Sequence, residues 1–237
     1  KPNATTNNKR LLPFSIWAAL GGATLSASGA QAATYAWDCT DAYWDTTVTI
    51  GGSSRYCWSP NALPSSNDSV TVGPVGSANT TLRFEGASHS VNSLTVDSTS
   101  AFTIRFIQTS HSLTVYDEAI GKFGTGSFIQ RNGTHTANYL TLGYYPLSDG
   151  NYTLNDGDLS VGTEYIGDGG TGVFLQDGGT HTVNDNLYLG RSLNGTDGDG
   201  AYTLNSGSLT VGTESIGDAG RAVRAEVAAL RESPRRA

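Results

Sequence analysis

The sequence has few charged residues and lacks the common nucleotide-binding and nucleophile motifs. Only 15% of its 237 residues are charged, and no Walker, dinucleotide-binding or nucleophile-elbow pattern is present. Between residues 33 and 220, six Lys and Arg stand against 19 Asp and Glu, which gives a net charge of −13. A surface with this much negative charge repels nucleic acid and anionic lipid. Both are therefore excluded as partners of this part of the chain.

Residues 34–220 also lack an apolar stripe with helical spacing. Apolar and polar residues alternate instead, as in Tyr152 and Leu154 or Leu159 and Val161, which is the periodicity of a strand. Gly, Asn, Asp, Ser and Thr fill the gaps between these segments, as tight turns require. The sequence therefore predicts an all-β chain of short strands.

Repetition is what the sequence has in abundance. Residues 161–172 repeat residues 115–126 after 46 positions, and residues 211–220 begin a third copy 50 positions later. Self-similarity at this period is typical of architectures in which each repeat stacks on its neighbour.

A finer triplet, Leu-x-Val or Leu-x-Leu, divides each repeat in two. It begins at Leu94, Leu113, Leu140, Leu159, Leu187 and Leu209, with spacings of 19, 27, 19, 28 and 22. These spacings predict that short and long turns of chain alternate, with two turns in each repeat. A parallel β-helix fits this subdivision; a β-propeller with one four-stranded blade per repeat is the alternative.

Residues 1–32 have the pattern of a cleavable secretory signal. Lys9 and Arg10 precede an apolar segment at 11–20, and Ala30 and Ala32 form a small-x-small site that predicts cleavage after Ala32. A short membrane anchor is the alternative, but the apolar run falls short of the ~20 residues that a spanning helix needs. No other segment is apolar enough to span a membrane, so we expect a secreted or cell-surface protein.

The segment at 33–75 is predicted to cap the N-terminal end of the β-helix. It holds three of the four Trp residues and both cysteines, Cys39 and Cys57. An exported chain meets an oxidising compartment, so we expect these cysteines to form a disulfide that contributes ~3 kcal/mol. The β-helix repeats are then assigned to 76–220.

The composition changes abruptly at 221–237, which carries five of the 14 basic residues and no Gly. Val223, Val227 and Leu230 fall on one face of a helix, so a short C-terminal helical tail is predicted. Two interpretations remain open: a helix that caps the repeats, or a foreign ending that replaces further repeats. An uncovered end would expose strand edges and favour end-to-end self-association.

Acidic residues supply the only candidates for chemistry. Asp156 with Asp158, and Asp197 with Asp199, lie in turns where Asp is expected for turn geometry alone, so no catalytic residue is assigned and no enzyme activity is predicted. A repeated row is formed by Glu118, Glu164 and Glu214, helped by Asp168 and Asp218. Such a row would bind calcium, and no other cofactor is expected; a solvated acidic face is the alternative. His135 and His181 are predicted to form a surface ladder without a metal.

Three phrases, at 172–182, 187–190 and 200–212, resemble the glycine-rich repeats of bacterial autotransporter passenger-like proteins and PEP-CTERM surface proteins. The resemblance implies a right-handed parallel β-helix at or outside the bacterial outer membrane, serving as stalk, adhesin or matrix component. Its expected partners are glycans or host and matrix surfaces. Neither a translocator domain nor a Pro-Glu-Pro signal is found, which predicts a fragment of a longer protein. A carbohydrate-active β-helix enzyme, a polysaccharide lyase or hydrolase, is the alternative function.

Overall fold

The computed structural model describes residues 32–50, 53–217 and 220–226. Every regular element in these ranges is a strand, and no helix there is long and apolar enough to cross a membrane. The strands are β1 (Thr34–Trp37), β2 (Asp41–Tyr43), β3 (Thr47–Ile50), β4 (Ser53–Tyr56), β5 (Trp58–Ser59), β6 (Ser69–Val72), β7 (Thr80–Phe84), β8 (His89–Val96), β9 (Ile104–Gln108), β10 (Ser112–Ile120), β11 (Thr125–Gln130), β12 (Thr134–Leu142), β13 (Asp149–Leu154), β14 (Asp158–Asp168), β15 (Thr171–Gln176), β16 (Thr180–Leu193), β17 (Thr196–Asp197), β18 (Asp199–Leu204), β19 (Ser208–Ile216) and β20 (Arg221–Glu226).

The strands form a parallel β-solenoid with two long sheets. Sheet 1 has the order β17-β16-β14-β12-β10-β8-β6-β1-β5, with β19 also paired to β16; sheet 2 has the order β2-β7-β9-β11-β13-β15-β18-β20. From β6 to β19 the chain makes six turns, and each turn returns it to sheet 1 one strand further along. The predicted all-β parallel β-helix is confirmed.

The strand register corrects the predicted lengths of the turns. Leu113 lies beside His135, which lies beside Leu159, so these successive turns contain 22 and 24 residues. Leu94 is not the neighbour of Leu113 but of Glu118, five positions further along. The predicted alternation of 19 and 27 residues is therefore wrong, because the Leu triplets fall alternately in the first and second halves of the long strands. Two turns still make one 46-residue repeat.

Each long strand of sheet 1 bends near its middle. Val115 pairs with Ala137 and Asp117 pairs with Tyr139, but the intervening Tyr116 is left out of the pairing. Tyr116 and Asp117 are both exposed, so the inside–outside alternation shifts by one residue at this point. The bend therefore turns Glu118 towards the interior.

The interior is filled by side chains that stack on their equivalents in the next turn. Along sheet 2 the rings of Phe106, Phe128, Tyr152, Phe174 and Tyr202 lie in consecutive strands, with neighbouring centroids 4.7–5.0 Å apart. All five are at most 1% exposed. Because a strand spacing of ~4.8 Å matches the distance between stacked rings, the repeat itself makes this continuous aromatic core possible.

A glycine at the corner after sheet 1 allows successive turns to approach each other closely. Gly143 has φ +66°, and a Cβ built there would lie 2.1 Å from the carbonyl oxygen of Thr171 in the next turn. Only a residue without a side chain fits such a position.

Tryptophans and the disulfide lie at the N-terminal end of the solenoid. Trp58 packs edge-on against Trp37 and Trp44, with ring centroids 4.8 and 4.6 Å away, and donates its indole N–H to the Trp44 carbonyl at 2.8 Å. Cys39 and Cys57 are joined by the predicted disulfide, with an S–S distance of 2.01 Å. β1 pairs with β5 in antiparallel fashion, which ends sheet 1 on that side.

The C-terminal end differs from the prediction. Residues 221–226 form the strand β20, which pairs in parallel with β18 over six positions, so they continue the solenoid and are not helical. The composition of this segment favours a helix, but the free edge of β18 supplies the hydrogen bonds that hold it as a strand. The rest of the predicted tail, 227–237, lies outside the described residues, as does the predicted leader apart from Ala32. End-to-end association stays a prediction.

Candidate functional site

Two of the repeated glutamates lie inside the solenoid, each against a histidine of the following turn. His135 Nε2 lies 2.9 Å from Glu118 Oε2, and His181 Nε2 lies 3.2 Å from Glu164 Oε2. All four side chains are completely buried. The prediction of a solvated acidic face is therefore wrong for Glu118 and Glu164.

A chain of hydrogen bonds continues from each histidine. His135 Nδ1 lies 2.8 Å from the Tyr152 hydroxyl, which donates to Gln130 Oε1 at 2.7 Å. Gln130 Nε2 donates in turn to the backbone carbonyls of Gly133 and Asp158, both at 3.0 Å. We call Glu118, Gln130, His135 and Tyr152 the first quartet, and their equivalents Glu164, Gln176, His181 and Tyr202 the second quartet.

The donors and acceptors of these bonds determine where the protons of Tyr152 and of His135 Nδ1 lie. Because Gln130 Nε2 faces two carbonyls, its Oε1 must accept from Tyr152, and the Tyr152 hydroxyl must then accept from His135 Nδ1–H. Burial, and then the charges of Glu118 and Glu164, raises the pKa of Tyr152 well above its ordinary value, so the hydroxyl keeps its proton.

The quartets are closed to any substrate. Neither carboxylate oxygen of Glu118 has another hydrogen-bond partner among the described residues, and no part of the side chain reaches solvent. The turns on either side carry Leu94 and Leu140 at the position of Glu118. A polar group that alternates with leucine inside a core is a packing arrangement, and its specific bonds favour one register of the turns.

A cleft on the outer surface of sheet 1 offers different chemistry. It has a volume of about 230 Å³ and spans the turns that contain β10, β12, β14 and β16. Its lining residues are Asp117, Tyr139, Thr141, Tyr144, Tyr165, Asp168 and Arg191. Thr141, Tyr165 and Tyr188 are register neighbours, so their side chains stand in one row across three strands.

Arg191 organises the cleft. Its Nε and Nη2 donate to the two carboxylate oxygens of Asp168 at 2.6 and 2.8 Å, and its guanidinium lies 4.1 Å from the centroid of the Tyr165 ring. Tyr165 and Tyr188 are stacked, with centroids 5.1 Å apart and planes only 6° from parallel. The hydrogen bonds that Arg191 donates to Asp168 raise the pKa of Arg191 above its ordinary value, so the guanidinium stays charged. The planar cation therefore fixes a carboxylate and an aromatic ring at the same time.

The phenols of Tyr165 and Tyr144 are neutral. Burial, more than any neighbouring charge, raises the pKa of Tyr165 and of Tyr144 above their ordinary values. Each ring therefore presents an apolar face and a hydroxyl that can donate or accept a hydrogen bond. The Asp117 carboxylate at the cleft edge adds an acceptor.

Further aromatic residues lie in the loops beside the cleft. Phe123 and Tyr145 are stacked with ring centroids 5.0 Å apart, and Tyr144 lies 4.5 Å from Tyr145. Phe123 is 59% exposed, which is unusual for so large an apolar ring. An exposed apolar surface of this kind is typical of a binding region.

The remaining predicted site residues are not brought together. Asp168 is bound to Arg191, Glu214 is paired with Arg224, and Asp218 lies outside the described residues. Over the ranges that the structure describes, no three His, Cys, Asp or Glu side chains are placed to hold a metal. The proposed cation row is thus divided between the interior and separate ion pairs, and calcium binding elsewhere stays a prediction.

The predicted histidine ladder and the turn aspartates also have defined places. His135 and His181 belong to the core, so the expected surface ladder is wrong. Asp156 is exposed, and its Oδ1 accepts from the backbone N–H of Gly157 at 2.8 Å, which is the turn chemistry that its neighbours indicated.

The cleft was missed because its residues are not repeated at 46 positions. One signal in the sequence could have revealed the cleft. In two adjacent turns a tyrosine directly precedes an aliphatic residue of the interior, as in Tyr165-Ile166 and Tyr188-Leu189. Strand alternation places such a tyrosine on the outside.

Comparisons of the chain with family models, with curated protein sequences and with solved structures find no match in any of the three. The parallel solenoid agrees with what the resemblance to autotransporter passenger-like and PEP-CTERM proteins implies about fold. Membership of either group stays a prediction.

Proposed function

We propose that this chain forms the rod of an exported cell-surface protein with a structural and adhesive role, and that the tyrosine cleft contacts a glycan. The observation that carries the proposal is the outward-facing stack of Tyr165 and Tyr188, held by Arg191 beside Asp168. The autotransporter-like role and the surface location rest on the sequence resemblance and on the signal pattern.

The chemistry of the cleft suits a sugar. A sugar ring has an apolar face of C–H groups, which packs on an aromatic ring, and hydroxyls around its edge, which bind carboxylates and phenols. The cleft supplies both in one place: the Tyr165 ring, supported by the parallel ring of Tyr188, and polar atoms from Asp117, Tyr139 and Tyr144. The oriented polar groups around the ring would fix the orientation of a ligand and make the site specific.

Charge selects among the glycans. The positive charge of Arg191 is already matched by both carboxylate oxygens of Asp168, and the surrounding body is strongly acidic. A uronic acid or sulfated sugar would be repelled, so a neutral or amino sugar is the expected ligand.

Rigidity supports an adhesive role. Apart from Tyr144, which lies in a loop, the cleft residues come from consecutive strands of one continuous sheet, so backbone hydrogen bonds set their spacing. A site already organised before binding loses less conformational entropy when the ligand arrives.

The test is a glycan-array screen of the full chain, followed by calorimetric titration of each hit. We expect Tyr188→Ala to weaken binding roughly 3- to 10-fold, because it removes the ring that is stacked on Tyr165, a contact worth about 0.5–1.5 kcal/mol. The matched control is Tyr43→Ala, which removes an exposed tyrosine (42%) from the far end of the solenoid and should leave binding unchanged.

A parallel assay for shortened sugar separates binding from catalysis. Binding without product supports the adhesive rod, whereas turnover would establish the alternative of a carbohydrate-active enzyme. If no glycan binds, or if Tyr43→Ala and Tyr188→Ala weaken binding equally, the cleft is not the adhesive site.

A further inference from the structure

The buried carboxylate of Asp68 accepts a hydrogen bond from the backbone N–H of Ala33, the residue that would follow the predicted cleavage site. Ala33 N–H donates to Asp68 Oδ1 at 2.8 Å, across 35 positions of sequence. Asp68 is only 6% exposed. Its other oxygen, Oδ2, accepts from the backbone N–H and the hydroxyl of Ser65 at 2.8 and 2.7 Å.

The backbone around Asp68 is held from both sides. Its N–H donates to the Ser65 carbonyl at 3.0 Å, and its carbonyl accepts from Asn92 and Ser93 in the next turn at 2.9 and 3.2 Å. Ser69 N–H donates to the Ala33 carbonyl at 2.9 Å, which begins the pairing of β1 with β6. The carboxylate is therefore a fixed receptor, and Ala33 cannot leave it without opening the edge of sheet 1.

Among the residues that the structure describes, Asp68 has no cationic partner. Burial acts to raise the pKa of Asp68, but the hydrogen bonds from Ala33 and Ser65 outweigh burial and hold the pKa below its ordinary value. The group is therefore an anion at neutral pH. Among the ion pairs of the described residues none includes Asp68, so its negative charge is balanced only by neutral donors.

We propose that Asp68 is the binding site for a new N-terminus at Ala33, so that cleavage after Ala32 converts an amide hydrogen bond into an ion pair that locks β1 onto β6. The inference rests on the export that the proposed function includes. Hydrolysis uses one water: Ala32 leaves as a carboxylate, and Ala33 keeps its nitrogen as an amine that takes up a proton. Ala32 is exposed, so the bond is accessible to a peptidase.

The ion pair with Asp68 can form only if the chain is cleaved at this bond, and not a few residues away. A terminus one residue later, at Thr34, would remove the atom that contacts Asp68. A terminus several residues earlier would place the charge beyond Ala32, away from the carboxylate. The mature fold is thus more stable than the precursor only when the new charge is at Ala33.

The experiment compares two forms of a chain that begins at Ala33, one with a free amine and one with an N-acetyl group. The described residues from 32 to 226 belong to one compact unit. Acetylation keeps an N–H for Asp68 but removes the charge, so any difference between the forms measures the ion pair. At pH 6.5 we expect the free-amine form to melt about 2–6 °C higher.

The stabilisation by the Ala33 amine should decrease as pH rises. An amine that gains an anionic partner has a raised pKa in the folded state, so its contribution is complete below the unfolded value of about 7.7 and is lost as pH rises through the folded value. A ¹⁵N-NMR titration of the Ala33 amine reads that pKa directly and does not depend on any variant folding. In Asp68→Asn, acetylated and free forms should melt together.

Equal melting of the two forms, or an Ala33 amine that titrates at its ordinary value, would overturn the proposal. So would N-terminal sequencing of the processed full chain that finds a start other than Ala33. These outcomes leave the glycan assay untouched, because the tyrosine cleft lies on later turns, so failure of either proposal is recognised separately.

Discussion

His135 Nε2 lies 2.9 Å from Glu118 Oε2 with both side chains fully buried, and leucine occupies the same two positions in the turns on either side. This relationship makes the solenoid an alternation of two kinds of turn. One kind contributes Leu113 and Glu118 to the interior, and the next contributes His135 and Leu140. The 46-residue repeat is therefore the shortest unit in which the buried polar groups are matched.

The first prediction concerns this pair. His135→Leu leaves Glu118 buried without its partner, so we expect a loss of about 3–5 kcal/mol in the free energy of unfolding, measured by urea titration. The double variant Glu118→Leu with His135→Leu should recover most of that loss, because Leu94 and Leu159 show that leucine fits both positions.

The control for that experiment is an exposed ion pair. Asp41→Asn weakens the contact with Arg83 at 3.2 Å on the surface and should cost less than about 1 kcal/mol. If the double variant is no more stable than His135→Leu alone, the pair does not act as an interchangeable unit of the core.

The second prediction concerns acid. His89 has no buried glutamate as a partner among the described residues. In the preceding turn the position equivalent to Glu118 is occupied by Val70. Burial lowers the pKa of His89 below its ordinary value of 6.5, although the charge of Asp45 acts in the opposite direction.

The sign of the pH effect follows from that shift. A histidine with a lowered pKa stabilises the fold above its unfolded pKa, and this contribution is lost as pH falls from about 6.5, since the unfolded chain then binds the proton more readily. His89→Phe, beside Trp44 and Phe84, should therefore flatten the loss of melting temperature between pH 7 and 5. His111→Asn, at an exposed histidine with φ 63°, should leave the slope unchanged; equal slopes for wild type and His89→Phe would contradict the prediction.

The third prediction concerns the corner glycines. Gly143→Ala should destabilise the chain by more than about 3 kcal/mol, because it combines a positive φ with a Cβ only 2.1 Å from the Thr171 carbonyl oxygen. Gly195→Ala is the matched control: its φ is +80°, but no atom lies within 4 Å of the new Cβ, so a cost of about 1 kcal/mol is expected. Thermal unfolding of the two variants measures the difference, and similar costs would show that φ alone matters.

The fourth prediction concerns the disulfide. Cys39→Ser with Cys57→Ser opens an 18-residue loop at the tryptophan-rich end, and we expect a loss of about 3 kcal/mol. Reduction should lower the melting temperature of the wild-type chain to that of the double variant. It should not change the melting temperature of the double variant. A wild-type chain that melts at the same temperature with and without reductant would contradict this role.

Much of the architecture was readable from the sequence because the repeat forces equivalent residues into register. The recurrence of Val115 as Val161 is enough to predict parallel strands, since copies stacked in the same direction pair in parallel. The disulfide was also readable, because Cys39 and Cys57 had no other cysteine to choose. The helix at 221–226 was wrongly predicted, because the composition of a short segment is outweighed by the open strand edge beside it.

What the sequence by itself determined is the stacking: a β-solenoid with two turns in each 46-residue unit. What only the tertiary structure decided is which side chains face inwards. Strict alternation from Val115 would place Asp117 inside and Glu118 outside, and the bend at Tyr116 reverses both. The same shift separates His135 and Ala137 from Leu140 and Leu142, and the register of the turns shows on which side of the sheet each half of the strand faces. For that reason the glutamates expected on the surface lie in the core, while the tyrosines beside them form the outer cleft.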